Sequence, residues 1–308
     1  MTGPRIAICV VTYESAPLIA DLVASLPAGA AGTDWVLVVA DNASTDGTVA
    51  EVRRRAHDAV IVEVGANRGY AAGVNAAVAA AGDRDAYLVL NADVRLAPGC
   101  VRALYGALTP AVGVVVPRLI DARGEVIWSM RREPTLLRAW GDALLGAERA
   151  GRHPLLGEVV TRPELYEAAR DTDWAEGSTQ LISAACLSAC GPWDESFFLY
   201  SEETEFELRA RDRGFATRFE PGAGARHLEG GSSTSPGQWS LLVANRVQLY
   251  ARRHGVLATG LFWFATAARE ASRALLGRAT SRAAIRDLVS VRRMRTAKSP
   301  DWLAGVRV

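Results

Sequence analysis

Four short stretches carry side chains able to do chemistry. The first is Asp41-Asn42, directly after the apolar run 35–40. An acid there can hold a ribose or a base, and it can equally be a turn or capping residue. The second is Asn91-Ala92-Asp93, after Leu88-Val89-Leu90. A carboxylate at the mouth of a sheet can bind Mg²⁺ or Mn²⁺, and such an ion can bridge the oxygens of a diphosphate whose negative charge grows as it departs. The third is Phe197-Phe198-Leu199-Tyr200-Ser201-Glu202-Glu203-Thr204-Glu205, where aromatic side chains meet three acids at a helix start. Acids favour the positive end of a helix, Ser201 would cap it, and Glu205 with Arg209 has the spacing of a helical ion pair. A carboxylate beside an apolar wall also has its pKa pushed up, which suits it to take a proton from a hydroxyl. The fourth is His227-Leu228-Glu229-Gly230-Gly231-Ser232-Ser233. A lone His is more often structural than a ligand, but one in a Gly- and Ser-rich loop can complete a metal site or contact phosphate oxygens.

The elements that must position these residues alternate. Residues 6–11 form an apolar, β-branched run short enough for a buried parallel strand. Residues 15–26 follow as a helix, with Ser15 at the N-cap and Leu18, Ile19, Leu22, Val23 and Leu26 on one face. Strands are expected at 35–40, 59–64 and 86–90, helices at 48–56 and 69–81, and a turn-rich loop at 42–47. Strands separated by helices pair in parallel through right-handed crossovers, and ligands gather outside their carboxyl ends. Thr12-Tyr13-Glu14-Ser15, Asp41-Asn42, Gly65-Ala66-Asn67-Arg68-Gly69 and Asn91-Ala92-Asp93 all fall at that edge. A dinucleotide-binding domain would need a Gly-rich turn after the first strand. Val11-Thr12-Tyr13-Glu14-Ser15 has no glycine, and Gly69-Tyr70-Ala71-Ala72-Gly73 follows the wrong strand. Further along, 114–116 reads as a strand and 131–170 as a variable insertion without a clean period. Order returns at 181–187. A helix runs from Ser201 to Arg213, stopped by Gly214, and a short strand at 218–220 precedes a polar loop over 222–237.

In this order the motifs resemble the family 2 glycosyltransferases of GT-A fold, and within them the bacterial rhamnosyltransferase-like branch. The segments are Val10-Val11-Thr12-Tyr13, Asp41-Asn42-Ala43-Ser44-Thr45-Asp46-Gly47-Thr48, Asn67-Arg68-Gly69-Tyr70-Ala71-Ala72-Gly73-Val74-Asn75, Leu90-Asn91-Ala92-Asp93, Trp174-Ala175-Glu176-Gly177 and Gly191-Pro192-Trp193-Asp194-Glu195-Ser196-Phe197-Phe198-Leu199-Tyr200. The helix over 202–214 and His227 to Ser232 complete a resemblance spanning roughly residues 5–255. It implies an α/β fold with a Rossmann-like, mostly parallel sheet flanked by helices. The catalytic domain would be 1–237, with a nucleotide-binding half (1–112) and an acceptor-binding half (113–237), followed by a helical appendage over 238–308. Thr12, Tyr13, Glu14 and Asp41 would line the base pocket, with Asn67, Arg68 and Gly69 helping to hold base and diphosphate. Asn91 and Asp93 stand at the Asp-x-Asp position, and Asp93 would bind Mg²⁺ or Mn²⁺ with help from His227. Trp174, Gly177 and Tyr200 would shape the sugar and acceptor region, and the general base would come from Glu202-Glu203, by position Glu203. The implied reaction is an inverting transfer from a dTDP- or UDP-sugar, dTDP-rhamnose being the branch's usual donor, to a glycan, a lipid-linked acceptor or a small molecule. Two departures stand out: Asn91 opens the Asp-x-Asp motif, and Glu203 and Glu205 stand where Asp is usual. Each Glu is one methylene longer, and reactivity is sensitive to such a displacement. A sugar-nucleotide-binding scaffold without turnover is the alternative these departures keep open.

The 308 residues suffice for one large domain or a domain with an appendage. A net charge of +1 gives no global field for a nucleic acid partner. Cys9, Cys100, Cys186 and Cys190 lack a surrounding His or Cys cluster and read as reduced core thiols. Met1 to Pro4 lacks the features of a signal peptide, and the apolar stretch 256–268 is shorter than the ~20 residues of a bilayer span, so a cytoplasmic location is expected. Residues 238–308 are helix-like and rich in arginine. Two readings fit them: an appendage packed by its apolar face with solvated arginines, or a basic surface resting on the inner face of an anionic membrane, even as a membrane-surface adaptor.

Overall fold

A computed structural model describes residues 3–228, 234–296 and 298–304. Residues 229–233 of the fourth candidate stretch lie outside the described residues. The chain opens β1 (Arg5–Thr12), α1 (Ala16–Gly29), β2 (Asp34–Asp41), α2 (Thr48–Arg55), β3 (Val60–Glu63), α3 (Tyr70–Ala81) and β4 (Ala86–Asn91). These strands pair in parallel in the order β3-β2-β1-β4. Both faces of the sheet are covered. Ile6, Ile8 and Val10 of β1 meet Ile19, Leu22 and Leu26 of α1, whereas Ala7 and Cys9 meet Ala77 and Ala81 on the α3 side. Strand side chains alternate between faces, so an unbroken apolar run is what a strand buried on both faces requires.

Next come β5 (Val94–Leu96), α4 (Cys100–Gly106) and β6 (Val112–Ile120). The region read as an irregular insertion contains β7 (Met130–Arg131), α5 (Leu136–Leu145), α6 (Ala147–Gly151) and β8 (Arg170–Thr172). Thr135 caps α5 by accepting from the Arg138 amide at 3.2 Å. α5 buries its inner side against other helices, not the sheet. β9 (Trp174–Ala175), β10 (Thr179–Ser183), α7 (Ala184–Cys190), α8 (Glu202–Asp212) and β11 (Ala216–His227) follow.

The sheet continues β4-β10-β6-β11-β5, with β8 on β11. β10 runs antiparallel between β4 and β6, so a parallel half is joined to a mixed one. The expected polar loop begins later than read, because 222–227 belongs to β11. A register irregularity between Glu220 and Gly224 broke the alternation that would have revealed it. The chain ends in α9 (Pro236–Arg253), α10 (Val256–Leu275), α11 (Ala279–Val289), α12 (Val291–Arg295) and α13 (Pro300–Ala304). All four cysteines are buried and unbridged.

Candidate functional site

The strand ends of β1 and β2 are locked before any ligand arrives. Asp41 is buried, and its Oδ1 accepts from the Thr12 hydroxyl at 2.8 Å and the Ser44 hydroxyl at 2.6 Å. Its Oδ2 accepts from the Ser44 amide at 2.8 Å. Glu14, at φ 50°, donates its amide to Ser44 Oγ and accepts from the Thr45 amide at 2.9 Å. Ser15 stands at the N-cap of α1, but its hydroxyl turns to the Tyr13 carbonyl. The Ala16 amide instead donates to Asp46 Oδ2 at 2.9 Å, so the helix is capped from the next loop. Asn42 Nδ2 donates to the Gly69 carbonyl at 3.0 Å and joins this loop to the third.

A cleft of about 350 Å³ opens above these contacts, lined by Tyr13, Asn42, Asn67, Gly69, Tyr70, Asn91 and Asp93. Thr12 and Asp41 are buried and not among its lining residues. Arg68 points to the rim, paired with Glu195 at 3.0 Å. Gly69 sits at φ 92°, and a Cβ there would fall 2.2 Å from the Phe198 carbonyl oxygen. The same carbonyl accepts from the Tyr70 amide at 2.9 Å, so the third and last motifs are backbone-fastened to each other.

β11 and β5 bring the second and fourth stretches together, since His227 is the register partner of Val94. His227 Nε2 lies 3.3 Å from Asp93 Oδ2, and its Nδ1 lies 3.7 Å from Glu176 Oε1. Two donors sharing an octahedral Mg²⁺ or Mn²⁺ stand about 3 Å apart, so the Asp93–His227 spacing fits such an ion. Among the described residues no three His, Cys, Asp or Glu side chains form a ready-made cage.

Beside the cleft lies a cavity of about 120 Å³ lined by Tyr70, Asn91, Glu176, Gly177, Tyr200, Glu202 and Glu203. Tyr70 and Asn91 border both spaces, and the Tyr70 hydroxyl donates to Asn91 Oδ1 at 2.7 Å. Burial, with the charges of Glu202, Glu176, Glu203 and Asp93 around it, holds the Tyr70 phenol well above its usual range. Tyr200 and Ser201 precede α8 at φ 70° and 76°, a left-handed pair of a kind concentrated at functional sites. This geometry overturns Ser201 as a cap, since its side chain makes no capping bond. Burial raises the Glu202 carboxyl well above its ordinary value, the neighbouring Glu203 adding to the effect. Burial, with Glu176 nearby, raises Glu203 to about 7. Glu205 is spent on Arg209, 2.8 Å away along the helix.

Gly177 packs on Glu203, with a Cβ there meeting Glu203 Cβ at 3.0 Å. Trp174 does not face either cavity. It is buried, its indole N–H donates to the Arg132 carbonyl at 3.1 Å, and Arg131 lies over its ring. Sequence reasoning did not assign Glu176 or Tyr70 a role, although both lie in the quoted motifs. It missed Gln238 and Leu303, which line the cleft from the C-terminal helices and carry no local signal.

Comparison with known proteins bears on the family and the fold. The profile of "Glycosyl transferase family 2" matches residues 7–156. An N-acetylglucosaminyl-diphospho-decaprenol L-rhamnosyltransferase of Mycobacterium tuberculosis is 30% identical over 259 residues, 79% of this chain and 83% of the relative. The low-salt glycan biosynthesis hexosyltransferase Agl10 of Haloferax volcanii is 31% identical over 213 residues, 67% of this chain and 61% of the relative. A mannosyltransferase of Pyrobaculum calidifontis, solved with GDP-Man and Mn²⁺, superposes with a TM-score of 0.58 at 19% identity, covering 92% of this chain and 79% of its own. S. aureus TarS in complex with UDP superposes at 0.52 and 16% identity, covering 92% of this chain and 90% of its own, and both likenesses concern the fold. With its motifs gathered at one edge of a GT-A sheet, this chain belongs to glycosyl transferase family 2 and is a glycosyltransferase of the rhamnosyltransferase-like kind.

Proposed function

We propose that the chain is an inverting transferase that moves a sugar from a dTDP- or UDP-sugar, dTDP-rhamnose foremost, to a hydroxyl of a lipid-linked glycan. The observation that carries this reading is the shared Tyr70–Asn91 wall between the cleft holding Asp93 and the cavity holding Glu203. The donor lies across the β1, β2 and β4 ends, its base against Tyr13 and Asn42, whose loops Asp41 braces from beneath, and its diphosphate toward Asp93 and His227. Those two residues would hold Mg²⁺ or Mn²⁺, which when bound would offset negative charge on the leaving group. Residues 1–112 supply most of the donor site, completed by His227 and the C-terminal helices, and 113–237 most of the acceptor site. Glu203 takes the proton of the acceptor hydroxyl, whose oxygen forms a bond to the anomeric carbon as the bond to the diphosphate breaks on the opposite face. Glu203 suits this role better than Glu202. Glu203 is half-buried where Glu202 is buried, and its carboxyl, raised to about 7, is poised to exchange a proton near neutrality. The lipid-linked class comes from the mycobacterial relative, whose name specifies a diphospho-decaprenol acceptor. Residues 238–308 bring the chain to the membrane that carries such an acceptor.

The test is transfer from a panel of nucleotide sugars in the presence of Mn²⁺, with polyprenyl-diphosphate-linked and soluble acceptors. Glu203→Gln is expected to lower turnover by about 10²–10⁴-fold while keeping the donor-induced rise in Tm. Near-normal turnover in that variant would remove Glu203 as the base. Donor binding without any transfer or hydrolysis by the wild type would favour the non-catalytic scaffold instead.

A further inference from the structure

The helix α10 carries apolar side chains on its outer face as well as on its buried one, where Phe262 and Ala265 pack. Its charged residues turn toward the protein: Glu270 is fully buried, paired with Arg269, and accepts from Trp239 Nε1 at 2.9 Å. Arg273 reaches across to donate to the Asp142 carbonyl at 3.1 Å. The outer face carries Leu257, Leu261, Phe264 and Leu275, which are 87%, 56%, 55% and 90% exposed. Their helical spacing puts them in one row about 27 Å long. α5 widens the row, since Trp140 packs on Phe264 with ring centroids 5.8 Å apart, and Leu144 and Leu145 are exposed on the same helix. A monomer in water gains nothing from such a face, and a contiguous apolar patch marks a contact surface.

The border of the row identifies what it contacts. Leu275 and Leu276 lead directly into Arg278, at the N-cap of the adjoining α11, and on to Arg282 and Arg286 within it, all exposed. Among the described residues no acid lies within ion-pair distance of Arg278 or Arg282, and Arg286 meets only the buried Asp287. Two copies pressed row to row would bring these arginine borders together without acids to pair them. Anionic phospholipid headgroups would neutralise them while the acyl boundary covers the leucines. No helix among the described residues is long and apolar enough to cross a membrane, so α10 would lie along the surface.

We infer that the outer face of α10, widened by α5, docks this chain flat onto a membrane containing anionic phospholipid. This rests on the membrane contact proposed above and gives it a face and a mode: the row of apolar side chains inserts, and arginines on α11 select the charge. The test is co-sedimentation of the full chain with vesicles of phosphatidylcholine, alone or mixed with phosphatidylglycerol. Binding is expected to the mixed vesicles, and Leu261→Asp with Phe264→Asp is expected to weaken it at least about tenfold. Leu257→Asp with Leu275→Asp alters only highly exposed positions and keeps the test open should the first pair disturb folding, which Tm reports. A wild type that stays in solution with anionic vesicles overturns the inference. So does an apolar-row variant that sediments like the wild type, or one that only converts a dimer to a monomer. Vesicle binding needs neither donor nor acceptor, so the donor-induced thermal shift on the same samples judges the transfer reading separately.

Discussion

Glu202 and Glu203 are neighbours in sequence, yet Glu202 is buried and Glu203 half-buried, and their surroundings set them apart. Glu202 Oε2 has no hydrogen-bond partner, whereas Glu203 packs beneath Gly177 and faces the cavity. A folded-state carboxyl raised from 4.5 to about 7 contributes stability that is fully present below 4.5 and is lost as pH rises through 7. Glu203→Gln keeps the neutral form at every pH. Its Tm should therefore gain on the wild type as pH climbs from 4.5 to above 7, by on the order of 1–3 kcal/mol in stability, as measured by thermal melts across that range. Turnover of the wild type should rise through the same pH window, because the base acts ionised. Gly177→Ala tests the positioning. The added methyl pushes on Glu203 Cβ, so kcat should fall by roughly tenfold or more with donor affinity kept, since misplacement of a reacting group is costly. An unchanged kcat would show that Glu203 tolerates the shift.

At the scale of elements, the cleft is closed partly by a short helix far along the chain. Leu303 of α13 lines it, and Trp302 is buried against Phe198, Leu241 and Ala244. Arg293 and Lys298 lie over the Trp302 ring at 4.1 and 3.9 Å, and Arg293 donates to the Trp302 carbonyl at 3.1 Å. α9 supports the same stretch, as Asn245 Nδ2 donates to the carbonyls of Leu199 and Tyr200 at 2.9 and 3.0 Å. Ending the chain after residue 296 should raise the donor KM several-fold with a smaller change in kcat, because a wall of the donor cleft is lost and Glu203 is not touched. Steady-state kinetics at varied donor separates the two effects. The α1 start offers a second test. Asp46→Ala removes the acceptor for the Ala16 amide and for Thr48, and should cost about 1 kcal/mol, read by denaturant unfolding.

Across the molecule, arginines tie the C-terminal helices to the rest of the chain. Arg246 of α9 meets Glu158 at 2.5 Å and Asp142 at 3.7 Å, and lies over the Phe262 ring. Arg253 reaches Asp212 of α8 at 2.8 Å and Glu133 at 3.2 Å. Arg246 and Arg253, which one of the two readings left solvated, are thus pairing groups, and the exposed face of α10 is apolar. Arg246→Ala leaves two buried carboxylates unpaired and should cost about 3–5 kcal/mol, measured by urea unfolding. A variant with wild-type stability would mean that the helices are held by apolar packing alone.

The sequence by itself determined the parallel half of the sheet, because β1, β2 and β4 are buried on both faces and so read as unbroken apolar runs between helices. It also placed Asp41, Asn67 and Asp93 at one edge, since every strand end of a parallel unit points the same way. Tertiary structure decided what depends on partners distant in the chain. Folding, not residue type, gave Glu202 and Glu203 different surroundings; the β11–β5 register, not proximity in sequence, set His227 against Asp93. The orientation of α10 was likewise beyond its own pattern. A helical stripe shows that two faces differ, and only the packing of α5, α9 and α11 around it fixed which face turned inward.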